Sequence, residues 1–441
     1  MRPCFPAGNT HLHRFDGLSS CLSMLWAAGH PCALRGEYRP LSCRLQAGSA
    51  FCAVVLLYAS TTRAQSVPTI DLHGVTIKPY ATDQLDVGGF ANASPTRPGT
   101  GARGARMRNG VRLNIHKQVE IGAIWDFGPA PGGPMRLFEG QVSYVGLRHF
   151  VFTAGIFKPS FGLESMQAQG DTVFIERSSI STLTRNLATG IERQAVQAET
   201  YGKRYHFALS ATAGTAGPGE NGNQRAMAFR LVGLPVRTRS VLLHVGFSGE
   251  WVFRPASAGN AAPVLSLSDN PEINPGTVSK YLNTGKILSD SAGAFGVETA
   301  VSWKKLLFQG EAYDIVLNSR INNGNQRLRF HGWYGQLGYT INGRQREWKG
   351  RTAAFSSPSC DRKQSVLCNG YGVLEIAARY SQADLESGPI HGGDQQTGSL
   401  AVNWWPTGII RTTVQYEYGQ VTRTPSAEHF HAIMSMFQIK F

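Results

Sequence analysis

From Arg106 the chain alternates: Arg106, Arg108, Gly110, Arg112 and Asn114 fall on one parity and Met107, Val111, Leu113 and Ile115 on the other, with Asn109 the exception. A repeat of two is the period of a β-strand, whose successive side chains point to opposite faces. Val119, Ile121, Ala123, Trp125 and Phe127 form a second apolar row; Phe150, Phe152, Ala154 and Ile156 a third; Tyr205, Phe207, Leu209 and Ala211 a fourth. The pattern continues through Met227, Phe229 and Leu231, through Leu243, Val245, Phe247 and Trp251, and through Phe295, Val297, Thr299, Val301 and Trp303. In the later rows, Trp333, Leu337, Tyr339 and Ile341 and then Leu374, Ile376, Ala378 and Tyr380, aromatic residues sit near the ends, where a membrane interface would hold them. Each row is about as long as a tilted membrane strand.

The connections alternate less regularly. His116-Lys117-Gln118, Gly202-Lys203-Arg204 and the region from Pro235 to Arg239 read as tight turns, while the stretches near 255–290 and 343–370 are long and polar. That asymmetry predicts short turns on the periplasmic side and long loops, these two among them, on the extracellular side. Pro95 to Gly104 reads as a loop or lead-in. The last row, Ile433, Ser435, Phe437, Ile439 and Phe441, is the most specific local signal, because the chain stops on an apolar parity at Phe441. All this predicts an all-β fold, a transmembrane antiparallel β-barrel. No stretch beyond residue 64 reaches the roughly 18 apolar residues of a spanning helix, and the 50 glycines and 10% aromatics suit strands that pair every backbone group with one another.

Residues 1–64 differ from the rest. Arg35, Arg39 and Arg44 precede an apolar run from Ala47 to Ala59, and Thr62-Arg63-Ala64 offers small residues for a signal peptidase, so cleavage is expected after Ala64. A single-pass anchor is the alternative, for which the run is short. Residues 1 to about 35 read as neither n-region nor domain, which points to a start placed too far upstream. Three segments follow: 1–64 as extension and signal peptide, 65–105 as lead-in and start of the barrel, and 106–441 as the barrel. Dividing the 377 residues after Ala64 by roughly 23 per strand and connection gives about 16 strands.

Charge sharpens the picture. The whole chain carries a formal +14, and residues 65–441 keep 37 basic against 27 acidic residues, or +10. In a soluble protein that excess would suggest nucleic acid; in an exported barrel it points to anions drawn into a pore, with no nucleic-acid partner. Of the seven cysteines only Cys360 and Cys368 lie beyond residue 64, in SSPSCDRKQSVLCNG, and are expected to close a surface loop as a disulfide. Neither has histidines at ligand spacing, so no metal site is expected, and no cofactor motif stands. Gly99-Thr100-Gly101-Ala102-Arg103-Gly104 spells the dinucleotide pattern, but it follows Pro95-Thr96-Arg97-Pro98 and leads into the arginine strand, without the strand, helix and acidic residue that binding requires.

The densest constellation runs from Ala154 to Arg193, AGIFKPSFGLESMQAQGDTVFIERSSISTLTRNLATGIER. Lys158, Pro159, Phe161, Gly162, Leu163 and Glu164, followed by Phe174, Ile175, Glu176 and Arg177, closely resemble the third-loop signature of the phosphate-selective porin O and P family. The strand FHGWYGQLGY from Phe330, the strand YGVLEIAARYS from Tyr371 and the turn Asn403-Trp404-Trp405-Pro406 are similar to further motifs of that family. The resemblance implies a barrel of 16 strands, a homotrimer in outer-membrane lipid, and a third loop folded inward to narrow each pore. It also implies assembly by the barrel-assembly machinery through Phe441.

A filter for anions needs fixed positive charge in a narrow passage, and arginine suits phosphate because its planar fork takes two oxygens and stays charged. Arg106, Arg108 and Arg112 share one face of an early strand, and Lys158, Arg177, Arg185 and Arg193 gather around the loop; these seven are the candidate anion-binding residues. Against them, Lys158 and Glu164 could simply brace the turn and Glu176 could neutralise Arg177. Glu120, Asp126, Glu298, Glu311 and Glu375 also fall on or near the inner face. The expected function is passive diffusion of phosphate, polyphosphate or other small anions across the outer membrane, with a general anion or mixed-solute pore as the alternative and no enzymatic step. A barrel hydrolase would need a serine nucleophile beside a histidine, and no such pair stands at persuasive spacing; a secreted β-sandwich would lack the heat-dependent gel shift of a barrel.

Overall fold

The computed structural model describes residues 69–91, 99–128, 135–215, 222–257, 261–276, 280–321, 324–361, 363–368, 370–423 and 426–441. The signal-peptide reading of residues 1–64 lies outside the described residues.

Long antiparallel strands in sequence order make up the wall: β1 (Val75–Phe90), β2 (Thr100–Ile115), β3 (Val119–Asp126), β4 (Arg136–Tyr144), β5 (Phe150–Phe157), β6 (Arg193–Tyr201), β7 (Tyr205–Thr212) and β8 (Arg225–Arg237). They continue as β9 (Val241–Arg254), β10 (Ile287–Trp303), β11 (Leu306–Ile321), β12 (Gly324–Thr340), β13 (Val373–Ser387), β14 (Ile390–Trp405), β15 (Ile410–Arg423) and β16 (Ser426–Lys440). Each pairs with its neighbours in sequence, and β1 pairs with β16 from Thr82↔Lys440 to Phe90↔Ala432, so the 16 strands close on themselves. Closure leaves no unpaired edge in lipid. At the seam Phe441 and Ala81 exchange both backbone hydrogen bonds at 3.1 Å, which gives the terminal residue a place in the ladder.

The predicted apolar rows face outward. Phe152, Phe207, Leu231, Phe247, Val297 and Leu337 are all exposed on the barrel surface, as a lipid-facing band requires. Their opposite parity carries the buried polar set, including Asp126, Arg230, Glu298, Glu311, Glu375 and Arg379.

Two expectations about connections change. Antiparallel strands place odd-to-even connections at one end and even-to-odd connections at the other. The 255–286 connection, between β9 and β10, therefore lies at the end that carries the β5–β6 connection. The 341–372 connection, between β12 and β13, instead shares its end with the tight turns and with the C-terminus. Length and polarity carry no sign for the end, which only the strand count supplies. The second change is in Pro95–Gly104: β2 already begins at Thr100, so the glycine-rich motif ends in the sheet and not in a phosphate-binding loop.

Strand lengths are uneven. Strands β3 to β7 have 8 or 9 residues each, while β10 and β12 have 17. The barrel thus has one short wall.

Candidate pore constriction

The residues between β5 and β6 (158–192) start at the short wall and make their contacts with strands on the far side of the barrel, so they cross its interior. A short helix, α1 (Leu163–Met166), and a longer one, α2 (Ser179–Ala188), lie along the path. The crossing is built from specific anchors. Gly162 turns the chain at φ +64°, and a Cβ there would lie 2.3 Å from Tyr313 Oη, so the position needs glycine on both counts. The next two amides, of Leu163 and Glu164, donate to the Glu311 carboxylate at 2.6 and 3.0 Å, and the Tyr313 and Tyr334 hydroxyls donate to it at 2.6 and 2.7 Å. One buried carboxylate on β11 thereby satisfies four donors within 3.0 Å, with the Ser181 hydroxyl a fifth at 3.5 Å.

Further along, Arg411 of β15 donates to the carbonyls of Thr172 and Val173 at 2.8 and 3.0 Å, Asn403 of β14 to the Val173 carbonyl at 2.9 Å, and the Ile175 amide donates to Gln415 at 3.0 Å. Arg379 of β13 lies 4.4 Å from the centre of the Phe174 ring and pairs with Glu164 at 3.4 Å and Glu272 at 2.5 Å. Glu164 accepts from the Ser178 amide and Glu272 from the Ser179 amide, at 3.0 and 2.8 Å, so two carboxylates stand at the positive end of α2.

The 341–372 connection enters from the opposite mouth and meets this loop. The Arg346 guanidinium grips Glu375 at 2.8 and 2.7 Å and donates to the Asp171 carbonyl at 2.5 Å. Asp171 Oδ1 accepts from the Ser357 amide and hydroxyl, each at 2.8 Å, and from Lys440 Nζ of β16 at 2.6 Å. Arg230 holds the carbonyls of Thr352 and Ala353 at 2.8 and 2.9 Å while pairing with Glu298. Two inward segments are thus locked together at Asp171.

Within this frame, the seven predicted residues divide. Arg106, Arg177 and Arg185 act on one another electrostatically, Lys158 lies within reach of Arg177, Arg185 and Arg108, and Arg108 within reach of Arg106. Arg112 stands apart, pairing with Glu139 at 2.8 Å over the Tyr80 ring, and Arg193 donates to the Asn186 carbonyl at 2.9 Å beside Glu192 and Glu250. Arg108 pairs with Asp126 at 3.1 Å and covers the Phe138 ring. Lys158 Nζ donates to the Ser165 carbonyl at 2.6 Å, so it does brace its turn. Arg177 likewise spends its donors on the loop: the carbonyls of Glu164 and Gln167 at 3.0 and 2.8 Å and the Gln169 side chain at 2.5 Å. Arg185 Nε is buried with no hydrogen-bond partner among the described residues.

Crowding of like charges shows in the loop. Burial, followed by the neighbouring Arg177 and Arg185, pushes the Lys158 ammonium well below its ordinary range. Burial and Arg185 bring Arg177 down to about 9. Burial and Arg106 bring Arg185 down to about 10, against the pull of Asp269. Both arginines remain cationic at neutral pH.

Glu176 is where the structure departs most from expectation. It acts on Arg177 electrostatically, but its two oxygens accept from Nη2 of Arg103 and Nη2 of Arg106, each at 2.6 Å. Arg103 was outside the predicted set because strict alternation from Arg106 sends it outward. A β-bulge intervenes: Gln84 pairs with Arg106 and Leu85 with Gly104, so Ala105 is the extra residue that turns Arg103 inward. Two charged cavities flank the constriction. One of about 540 Å³ on the β5–β6 side is lined by Arg136, Arg193, Lys280 and Lys286 with Glu192, and one of about 490 Å³ on the opposite side is mixed, with Lys78, Arg112, Lys158 and Arg351 against Glu120, Glu139 and Glu199.

A family model, phosphate-selective porin O and P, matches residues 80–441. The chain belongs to that family. It is 22% identical over 302 residues to porin O of Pseudomonas aeruginosa, covering 63% of this chain and 67% of that protein. An uncharacterized protein of Caulobacter vibrioides is 24% identical over 278 residues, 60% of this chain and 53% of the other. Among solved structures, the fold resembles an anion-selective porin from Comamonas acidovorans (TM-score 0.52, 9% identity, 83% of this chain and 100% of that one). It also resembles OmpT of Vibrio cholerae (TM-score 0.51, 12% identity, 84% and 100%). The protein is therefore an outer-membrane porin with a closed barrel of 16 strands.

The porin's family-like motifs acquire physical roles here. Glu375 and Arg379 in YGVLEIAARYS, Tyr334 in FHGWYGQLGY and Asn403 in the Asn-Trp-Trp-Pro turn all hold the inward segments, and Trp405 lies under both Arg346 and Arg411 at 5.8 and 5.3 Å. Two of these anchors escape sequence reading because their loop partners lie far along the chain, Asn403 from Val173 by 230 positions and Arg379 from Glu164 by 215. The expected Cys360–Cys368 disulfide falls partly outside the described residues. Cys360 is a free thiol among the described residues, the side chain of Cys368 lies outside them, and the turn is closed by backbone bonds from Gln364 and Ser365 to the Asp361 carbonyl. The structure does bring a serine and a histidine together, Ser160 Oγ and His206 Nε2 at 3.0 Å, but both are fully buried beneath the loop. His206 Nδ1 has no orienting partner among the described residues, so the pair lacks both access and a third member.

Proposed function

We propose that the porin is a passive channel for small anions, with phosphate and polyphosphate as the favoured class. The observation that carries the reading is the gathering of Arg106, Arg108, Lys158, Arg177 and Arg185 where two inward segments narrow the barrel. Fixed cations in a partly desolvated passage attract an anion, and the guanidinium fork matches two phosphate oxygens. The anion-selective porin with a similar fold and the family's name agree with this reading. A general anion or mixed-solute pore is favoured by a different observation: Asp126 and Glu176 occupy Arg108 and Arg106 of the gathered set.

The test is chloride conductance of single channels with added inorganic phosphate. A phosphate site predicts block of chloride current at low phosphate. Arg185→Gln, which removes a cation whose Nε holds no partner here, is expected to weaken that block, and a charge change in the 360–368 turn is not. Equal permeation of chloride and phosphate without block supports the general pore.

The short wall supports assembly as a homotrimer. Its outer surface carries a groove of about 510 Å³ lined by Val142, Phe152, Ala154, Val196, Ala198 and Leu209, small and apolar enough for a second copy to pack closely. A heat-sensitive oligomer band of three barrels on gels is the expected result. We also propose export by a signal cut after Ala64, which N-terminal sequencing of the outer-membrane form tests, and recognition of β16 with Phe441 by the assembly machinery.

A further inference from the structure

We propose that Glu176 is a tethered competitor for an oxyanion seat made by Arg103 and Arg106, so that a permeating anion binds by displacing this carboxylate. The inference rests on the anion-pore reading above and names the residue that sets how tightly the pore holds its anion.

Two guanidinium groups of one strand converge on separate oxygens of one carboxylate, Arg103 Nη2 on Oε1 and Arg106 Nη2 on Oε2, both at 2.6 Å. That is the arrangement in which a pair of arginines would hold two oxygens of a free oxyanion. The pair also has donors that one carboxylate does not use. Arg103 Nε and Arg106 Nη1 are buried without hydrogen-bond partners among the described residues. An anion with three or four oxygens can reach more of these donors than Glu176 does, which gives displacement a driving force.

Access fits the same reading. The Glu176 side chain is 20% exposed and the arginines 17% and 11%, so one edge of the seat faces the lumen. Glu176 belongs to the crossing loop and the two arginines to the wall. Its carbonyl is held separately by Arg379 Nη1 at 3.0 Å, so the side chain can leave the seat while the backbone stays in place. Asp86, 3.6 Å from Arg103, is the other carboxylate beside the pair, and Arg177 and Arg185 add positive charge behind it.

A conducting pore needs a site that draws the ion in and releases it quickly. A carboxylate on a tether does both: it keeps the arginines aligned when no anion is present and returns to the seat to speed release.

Planar-bilayer recordings of chloride current with inorganic phosphate as the blocker test this in wild type, Glu176→Gln and Glu176→Asp, with Glu386→Gln as a control for net charge. Heat-modifiable gel migration of each variant confirms the barrel. The proposal expects half-blocking phosphate to fall at least about tenfold in Glu176→Gln, the effect of freeing a charge-assisted pairing, with longer block dwell times. Glu176→Asp should fall between, and Glu386→Gln should match wild type. Phosphate block in wild type that is unchanged or weaker in Glu176→Gln would overturn the proposal and leave Glu176 a loop brace. Absence of block in wild type and every variant would overturn the anion-pore reading and the proposal together.

Discussion

Replacing Glu311 by glutamine should loosen the crossing loop at its first anchor without dissolving the barrel. The carboxylate accepts from the amides of Leu163 and Glu164 and from the hydroxyls of Tyr313 and Tyr334. A glutamine presents one carbonyl oxygen, which can take two of those donors, and turns an NH2 group toward the others. Two buried donors are then left unpaired at about 1–2 kcal/mol each, or about 2–4 kcal/mol in all. Local opening of the loop should become roughly 30- to 1000-fold more frequent. The strands flanking Glu311 keep their ladder, because β11 pairs along its length with β10 and β12. Hydrogen exchange of the Leu163 and Glu164 amides in detergent reads the effect directly, and single-channel recordings should show added flicker. Exchange at those amides within about threefold of wild type, with quiet channels, would refute the argument that Glu311 carries the anchor.

Gly162→Ala should cost about 1–3 kcal/mol of loop stability and lower the temperature at which the channel becomes noisy, since it adds a Cβ at positive φ against Tyr313 Oη. Asp171→Asn weakens the node joining the two inward segments, and faster proteolysis within residues 343–357 is the expected readout. For pH, burial and then Glu272 raise Asp269 to about 8 from an ordinary 3.8. The folded loop therefore binds this proton more tightly than the unfolded chain, so its contribution to stability is complete below pH 3.8 and is lost as pH rises through about 8. Ionised Asp269 also offsets the charge of Arg185, so chloride conductance should fall as pH passes about 8, and Asp269→Asn should flatten that step.

The barrel was legible because a lipid-facing wall forces alternation on every strand, and Phe441 marked its last strand. The loop was legible as a dense local run of charge, in which Lys158, Arg177 and Arg185 act on one another electrostatically. What alternation could not show was a change of phase. The bulge at Ala105 hides Arg103, which together with Arg106 holds Glu176. Nor did length and polarity show which end the 341–372 connection occupies, which strand count decides, or its tie to the third loop, which runs through Arg346 and Ser357 meeting Asp171, partners separated by 175 and 186 positions.

The most direct test of the account is the zero-current potential of the wild-type channel in a bilayer across a tenfold KCl gradient. An anion-selective pore gives the sign for chloride flowing down its gradient, and the potential should move toward zero in Arg185→Gln. A potential of the cation-selective sign would contradict the claim that the gathered arginines decide what passes.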